Sequence, residues 1–446
     1  MSAGPFRWAT AAGSPGSYNR NEETGPLSPS EMRKTVHIIG AGIAGLHCAD
    51  LLRRRGIEVL IHESSDRVGG RMRTDHIKGF LIDHGFHVMQ SGYERVRQQV
   101  DFAALNARAF SPGARVIRMI DGRPRVHTYA DPFQAPLTAL SALRTEKFFD
   151  LIRIARLRRA LLRRSSDAAF LGGDGSTRDY LRSLGFTAAF VHRFLRPLFA
   201  GIFLESELAT SERMFRFVFA AMAQGQMLLP ENGIQAMPEQ LAGRVGRDKI
   251  CFGVEARANG PEEIMLGSVV SAAAQVILAH PEPEEEGRRR SVWTVHLDAD
   301  HSPVPGGFLV LNGDYELGKT LIAHLAIPSD VQPSYAPPGR SLVTVTVVGD
   351  AAEAMGLSTP DAVAGRVRTE LAGWFPESAC WSTLAIQKIS AALPAREAGS
   401  DLRAIAEVAP DDLIRCGDHS LHGSVEGAVR SAESAALETI RRLGVT

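Results

Sequence analysis

Between Val36 and Gly45 an apolar run, Val36-His37-Ile38-Ile39, feeds directly into Gly40-Ala41-Gly42-Ile43-Ala44-Gly45, where a helical pattern begins. A strand that ends in G-x-G-x-x-G and opens a helix constrains the chain to a dinucleotide cradle. Gly40 permits the tight turn, Gly42 lets a pyrophosphate approach the backbone, and Gly45 lets the helix pack closely on the sheet. Ala41 and Ala44 occupy positions between these glycines, and the first-turn amides face the phosphates. The spacing predicts a helix over 46–55, capped by Gly56, and then a buried strand, Ile57 to Ile61, ending near Glu63. Glu63 lies 18 residues beyond Gly45, where a carboxylate accepts from both ribose hydroxyls and favours an unphosphorylated ribose.

The next stretch, Glu63-Ser64-Ser65-Asp66-Arg67-Val68-Gly69-Gly70-Arg71, places Gly-Gly-Arg just after that acid. It resembles the FAD-binding signature of the flavin amine oxidase and phytoene desaturase superfamily. The resemblance implies non-covalent FAD, with the Gly69 and Gly70 amides and Arg71 over the pyrophosphate and ribityl chain, and Ser64 and Arg67 beside them. On residue chemistry alone, a forked guanidinium also suits the two phosphate charges. A second mark of the family is Leu413-Ile414-Arg415-Cys416-Gly417-Asp418, followed by Gly423-Ser424-Val425-Glu426-Gly427-Ala428. The resemblance puts Gly417 and the Asp418 carboxylate on the ribityl chain. It aims the helix N-terminus at Val425, Gly427 and Ala428 toward the flavin pyrimidine, where the helix dipole stabilises anionic reduced flavin. Gly79 to Val88 resembles the segment beside the isoalloxazine, which adds Gly85, Phe86 and His87, and Val254 is expected near adenine.

Two departures favour the desaturase-like and protoporphyrinogen-oxidase-like branch. The strand Ser291 to Leu297 has no lysine where amine oxidases carry one, and Ser424 stands at the position of their aromatic cage. Segments around 203–219, 311–313 and 327–339 are similar to a bacterial and plastid group of desaturase-like flavoproteins. The expected activity is dehydrogenation of an apolar, isoprenoid-like substrate by hydride transfer to flavin N5. Amine or porphyrinogen oxidation with oxygen, a flavin-dependent reductase or isomerase, and a non-catalytic flavin-binding protein are the alternatives. No catalytic base is assigned: His87, His84, His419 and Glu426 each have a structural explanation.

The expected fold class is α/β, a Rossmann-type FAD-binding domain with a discontinuous α+β substrate domain. The FAD-binding domain is expected from 34–95, 228–290 and 386–446, and the substrate domain from 96–227, read as mostly helical, and 291–385. Residues 1–33 lack an apolar h-region and read as a disordered tail. Fifty basic residues balance fifty acidic ones, which argues against a nucleic-acid partner. The four cysteines show no C-x-x-C spacing, so neither a structural metal nor disulfides are expected, and Cys416 reads as core. No run is long and apolar enough to span a bilayer, which suggests a cytoplasmic location. Residues 147–164 are a basic, partly amphipathic stretch with the stripe Phe148, Ile152, Ala155, Arg159 and Leu162, a candidate peripheral membrane contact.

Overall fold

Strands without polar alternation must be covered on both faces, and Val36–Ile39, Val59–Glu63 and Gln275–Leu278 are buried along their whole length. In the computed structural model, which describes residues 28–130, 148–281, 289–400, 402 and 413–445, they form the centre of a five-stranded sheet. Its order is Ile250–Phe252, Val59–Glu63, Val36–Ile39, Gln275–Leu278, Ile414–Arg415, and every pairing is parallel. On one face, Leu46, Ala49 and Leu52 of the helix Ile43–Arg54 share a core with Ile38, Ile61, Leu241 and Ala432. The other face is covered by an antiparallel meander, Ala256–Gly260, Glu263–Leu266 and Val269–Ala272, whose Ile264 packs with Leu60 and Val276. Three distant stretches of chain thus complete one Rossmann-type layer. The edge strand Ile250–Phe252 is short, because Gly253 turns the chain at φ +68° before the meander begins.

A second, seven-stranded sheet has the order Ser382–Pro394, Arg289–Ala299, Ser341–Val348, Ile322–Ala326, Leu309–Asn312, Gly113–Ile120, Arg123–Ala130. All its pairings are antiparallel except that between Leu309–Asn312 and Gly113–Ile120. The mostly helical reading of 96–227 is corrected here, since 113–130 is a hairpin. Asp121 and Gly122 both take positive φ, the requirement of a tight two-residue turn between twisted strands. The segment boundaries expected at 290/291 and 385/386 also move, because both fall inside strands paired with each other in this sheet. Helices Phe148–Leu162, Arg196–Phe203 and Glu212–Gln224 complete this part of the molecule.

Most of the expected tail, residues 1–27, lies outside the described residues. Its last part is not a free tail: Ser28 caps a helical turn, Pro29–Met32, and Met32 is buried in the core beneath the meander. Among the described residues no helix is long and apolar enough to cross a membrane.

Candidate functional site

The strand Val36–Ile39 and the helix Ile43–Arg54 meet at a turn whose glycines have distinct surroundings. Gly40 adopts φ +107°, which disfavours L side chains, and its amide donates to His62 O at 2.8 Å. A Cβ on Gly45 would collide with Gly40 O, so helix and turn touch with no room for a methyl. Gly42 differs: its φ of −75° and ψ of 177° suit any residue, and a Cβ there would meet nothing within 4 Å. Gly70 packs beside it: a Cβ on Gly70 would lie 3.6 Å from Gly42 Cα. Two glycines from separate loops lie side by side at the N-terminus of a 12-residue helix, and the open space at Gly42 beside the helix amides fits a pyrophosphate.

Glu63 holds the two loops together. Its Oε2 accepts from Ala41 N at 2.8 Å, and its Oε1 accepts from Ser65 N at 2.9 Å and Ser65 Oγ at 2.6 Å. Gly69 N donates to Ala41 O at 2.9 Å, and Val254 N donates to Glu63 O at 3.0 Å, which brings Val254 to the same edge. Ala44 is buried in the helix and Ser64 is exposed. The Arg67 guanidinium is spent on the neighbouring strand, donating to Thr74 O at 3.1 Å and Asp75 Oδ1 at 2.7 Å.

Arg71 joins the first loops to the end of the chain. Its Nη2 donates to Asp418 Oδ1 at 2.6 Å and its Nη1 to Ala392 O at 2.5 Å. Arg289 Nη2 stands 3.6 Å from Asp418 Oδ2. Burial alone would raise the Asp418 pKa, but the Arg71 and Arg289 charges outweigh it and hold the carboxyl below its ordinary value. Gly417 N donates to Ser431 Oγ at 2.8 Å, which fixes the turn against the last helix. In that helix, Val425–Arg442, Ser424 Oγ accepts from Gly427 N and Ser424 O from Ala428 N. The amides of Val425 and Glu426 have no acceptor among the described residues and remain for a ligand. Glu426 itself accepts from Arg95 N, Val96 N and Arg430 Nε, so it caps one helix and braces another.

Gly85, Phe86 and His87 follow the strand Phe80–Asp83. Gly85 takes φ +87° and donates to Gln387 Oε1 at 3.2 Å, while His87 Nε2 donates to His84 O at 2.9 Å. Burial, then the Arg71 charge, lowers the His87 pKa to about 4, so the ring is neutral at pH 7. His84 pairs with Asp75 at 2.6 Å. The neighbouring strand Arg289–Ala299 contributes His296, also buried and lowered to about 4, to a cavity of about 10 Å³ beneath Gly85 and His87. Lys388 is next in sequence to Gln387 and therefore points to the opposite face of its strand, over the Trp293 ring at 5.1 Å.

A much larger cavity, about 180 Å³, lies between Phe148–Leu162, the helices around Phe199 and Phe219, and the edge of the seven-stranded sheet. Its walls are mainly apolar, among them Phe110, Leu151, Phe194 and Met222. The Phe110 ring meets Phe86 edge-on at 6.1 Å, so this cavity adjoins the Gly85 segment. Sequence reasoning did not find it, because seven separated segments line it. It also missed His422, a fully buried ring stacked on Phe170 at 4.8 Å with Nδ1 at 3.0 Å from Ser424 Oγ. Its adjacency to the helix cap was the available signal.

Asp83 ties this region together, accepting from Thr74 Oγ1 at 2.6 Å, Ile234 N at 3.0 Å and Tyr335 OH at 2.8 Å. Burial raises its pKa from 3.8 to about 6, against those hydrogen bonds. Because the folded value lies above the unfolded one, its contribution is complete below pH 3.8 and is lost as pH rises through about 6. The carboxyl therefore contributes up to about 3 kcal/mol to the pH dependence. Asp83→Asn is expected to flatten the stability profile between about pH 4 and 6, read by urea unfolding across that range. An unchanged slope would mean that Asp83 does not titrate there.

A family model described as flavin containing amine oxidoreductase matches residues 43–281 and 290–440. Hydroxysqualene dehydroxylase of Rhodopseudomonas palustris is 49% identical over 63 residues, 14% of this chain and 15% of that protein. Protoporphyrinogen oxidase 2 of Arabidopsis thaliana is 31% identical over 121 residues, 27% of this chain and 23% of that protein. The matched stretches thus span less than a quarter of either relative. Cyclohexylamine oxidase from Brevibacterium oxydans IH-35A aligns with a TM-score of 0.67 at 16% identity, over 92% of this chain and 100% of that one. That likeness is one of fold.

Proposed function

The chain belongs to the flavin containing amine oxidoreductases, and from that membership we propose that it dehydrogenates an apolar, isoprenoid-like substrate held in the 180 Å³ cavity. It is an FAD-dependent oxidoreductase; when bound, FAD supplies a two-electron acceptor for hydride at N5. Residues suited to hold the cofactor are Gly42 and Gly70 at the pyrophosphate, Glu63 at the adenosine ribose, and Asp418 with Arg71 at the ribityl chain. The same assignment gives the Val425 and Glu426 amides the pyrimidine end and sets Gly85 to His87 beside the ring system.

The observation that carries the substrate class is the cavity's apolar wall, joined to Phe86 through Phe110. No histidine lines it, the nearby His87, His296 and His324 are neutral at pH 7, and Arg158, its one charged lining residue, donates to Ala223 O. Relatives named hydroxysqualene dehydroxylase favour an isoprenoid skeleton and also a second reading, in which hydride runs from reduced cofactor to substrate. Anaerobic mixing with squalene-type hydrocarbons and their alcohols tests both. Bleaching of the oxidised flavin band with a product two hydrogens lighter supports dehydrogenation. Turnover only with pre-reduced protein supports the reverse direction. Hydrogen peroxide formed from an amine or a porphyrinogen, with no response to isoprenoids, would overturn both. Filling the cavity with Met222→Trp is expected to raise KM for an isoprenoid at least about tenfold while FAD content stays at parent level, measured by steady-state kinetics beside the flavin spectrum.

A further inference from the structure

We infer that the helix Phe148–Leu162 seats the protein on an anionic bilayer, so that apolar substrate passes from lipid into the cavity behind the helix. This rests on the cavity being the substrate site. The helix has two working faces. Its inner face buries Asp150, Leu157 and Leu161 and turns Leu151 and Ile154 into the cavity. Arg158 also belongs inside, donating through Nη2 to Ala223 O at 2.7 Å.

The outer face carries Ile152, Arg156 and Arg159, and the chain continues into Arg163, at spacings that keep all four on one stripe. Arg156, Arg159, Arg163 and Arg164 are exposed, and none has a carboxylate partner among the described residues. The only acid between 148 and 164 is Asp150, which is 1% exposed and accepts from Thr187 N and Oγ1. Positive charge on this face is thus not balanced by neighbouring carboxylates among the described residues. Half-buried Ile152 and Ala155 and the 38% exposed Leu162 lie among the arginines, the mixture that suits the headgroup boundary of an anionic membrane. A nucleic acid would meet the same charges but would have no use for the apolar residues between them or for the cavity behind them.

The test is sedimentation of the FAD-loaded full chain with vesicles of phosphatidylcholine alone or with phosphatidylserine added, at low and high salt. Binding only to the phosphatidylserine vesicles, lost at high salt, is expected. Each arginine near an anionic surface contributes about fivefold, so the quadruple Arg156→Gln, Arg159→Gln, Arg163→Gln, Arg164→Gln variant should bind several-hundredfold more weakly. Its flavin content and unfolding temperature should match the parent's, since these side chains brace nothing inside. No sedimentation with phosphatidylserine vesicles, equal binding to both vesicle types, undiminished binding by the quadruple variant, or tighter binding to RNA than to vesicles would each overturn the proposal. Because the vesicles carry no substrate, such a failure leaves the cavity reading standing. Failure of isoprenoids to reduce the flavin in detergent solution would instead remove the cavity reading.

Discussion

Gly42→Thr is expected to fold like the parent chain and to hold no FAD. Threonine is about as good as glycine at a helix N-cap, and Gly42 already has extended backbone angles that threonine adopts without strain. Its Cβ would enter space with no atom within 4 Å, so the flavin-free protein loses nothing by the change. The same side chain would occupy the open space at Gly42, where a pyrophosphate needs bare backbone. FAD affinity should fall at least about a thousandfold, or roughly 4 kcal/mol, by titration of the flavin-free protein. The unfolding free energy of that flavin-free protein should stay within about 0.5 kcal/mol of the parent. Gly45→Ala is the contrasting change. Its methyl would collide with Gly40 O, so it should lower the unfolding temperature with or without cofactor. If Gly42→Thr bound FAD as the parent does, the pyrophosphate would not lie at this turn.

The parts of the site legible in the sequence are those where backbone chemistry permits few residues. Gly40 needs positive φ and Gly45 needs a missing methyl, so their spacing marks the turn before any coordinates are known. Glu63 was legible as an acid at the ribose but not as the acceptor that joins Ala41 to Ser65, because that bond depends on how two loops fold together. The hairpin at 113–130 was hidden by Arg115 and Arg118, half-buried in a strand with interrupted alternation; Asp121-Gly122 was the signal to weigh instead. In the helix Phe148–Leu162, the Ile152, Ala155, Arg159 and Leu162 part of the stripe read from sequence lands on the outer face. The inner face includes Asp150, which no hydrophobic pattern would place in a core and which is buried because it caps Thr187. The cavity and the Arg71 to Asp418 pair arise only when remote segments meet.

Asp418→Asn is the substitution expected to cost the fold most. The carboxylate takes Arg71 Nη2 at 2.6 Å and stands 3.6 Å from Arg289 Nη2, with the Asp418 side chain 6% exposed. Both guanidiniums are also tied to one strand, Arg71 to Ala392 O and Arg289 to Ala391 O. Asparagine keeps the volume but removes the charge that two cations share; Arg289 is 2% exposed but Arg71 is 37% exposed and screened by solvent, so the loss is about 3 kcal/mol, the low end for a buried pair. Urea unfolding of the flavin-free protein reads this directly, without relying on any cofactor contact. The guanidiniums hold the folded Asp418 pKa below its unfolded value of 3.8, so its contribution is complete above that pH and is lost as pH falls toward the folded value. The gap between parent and variant should therefore stay constant at neutral pH and narrow below about pH 4. Arg289→Met combined with Asp418→Asn should recover part of the loss, because it removes the buried cation left without this carboxylate. An Asp418→Asn protein with the parent's urea midpoint would mean that the pair does not hold the chain ends together. The expected loss instead makes one ion pair responsible both for closing the N-terminal loops onto the last strand and for shaping the site between them.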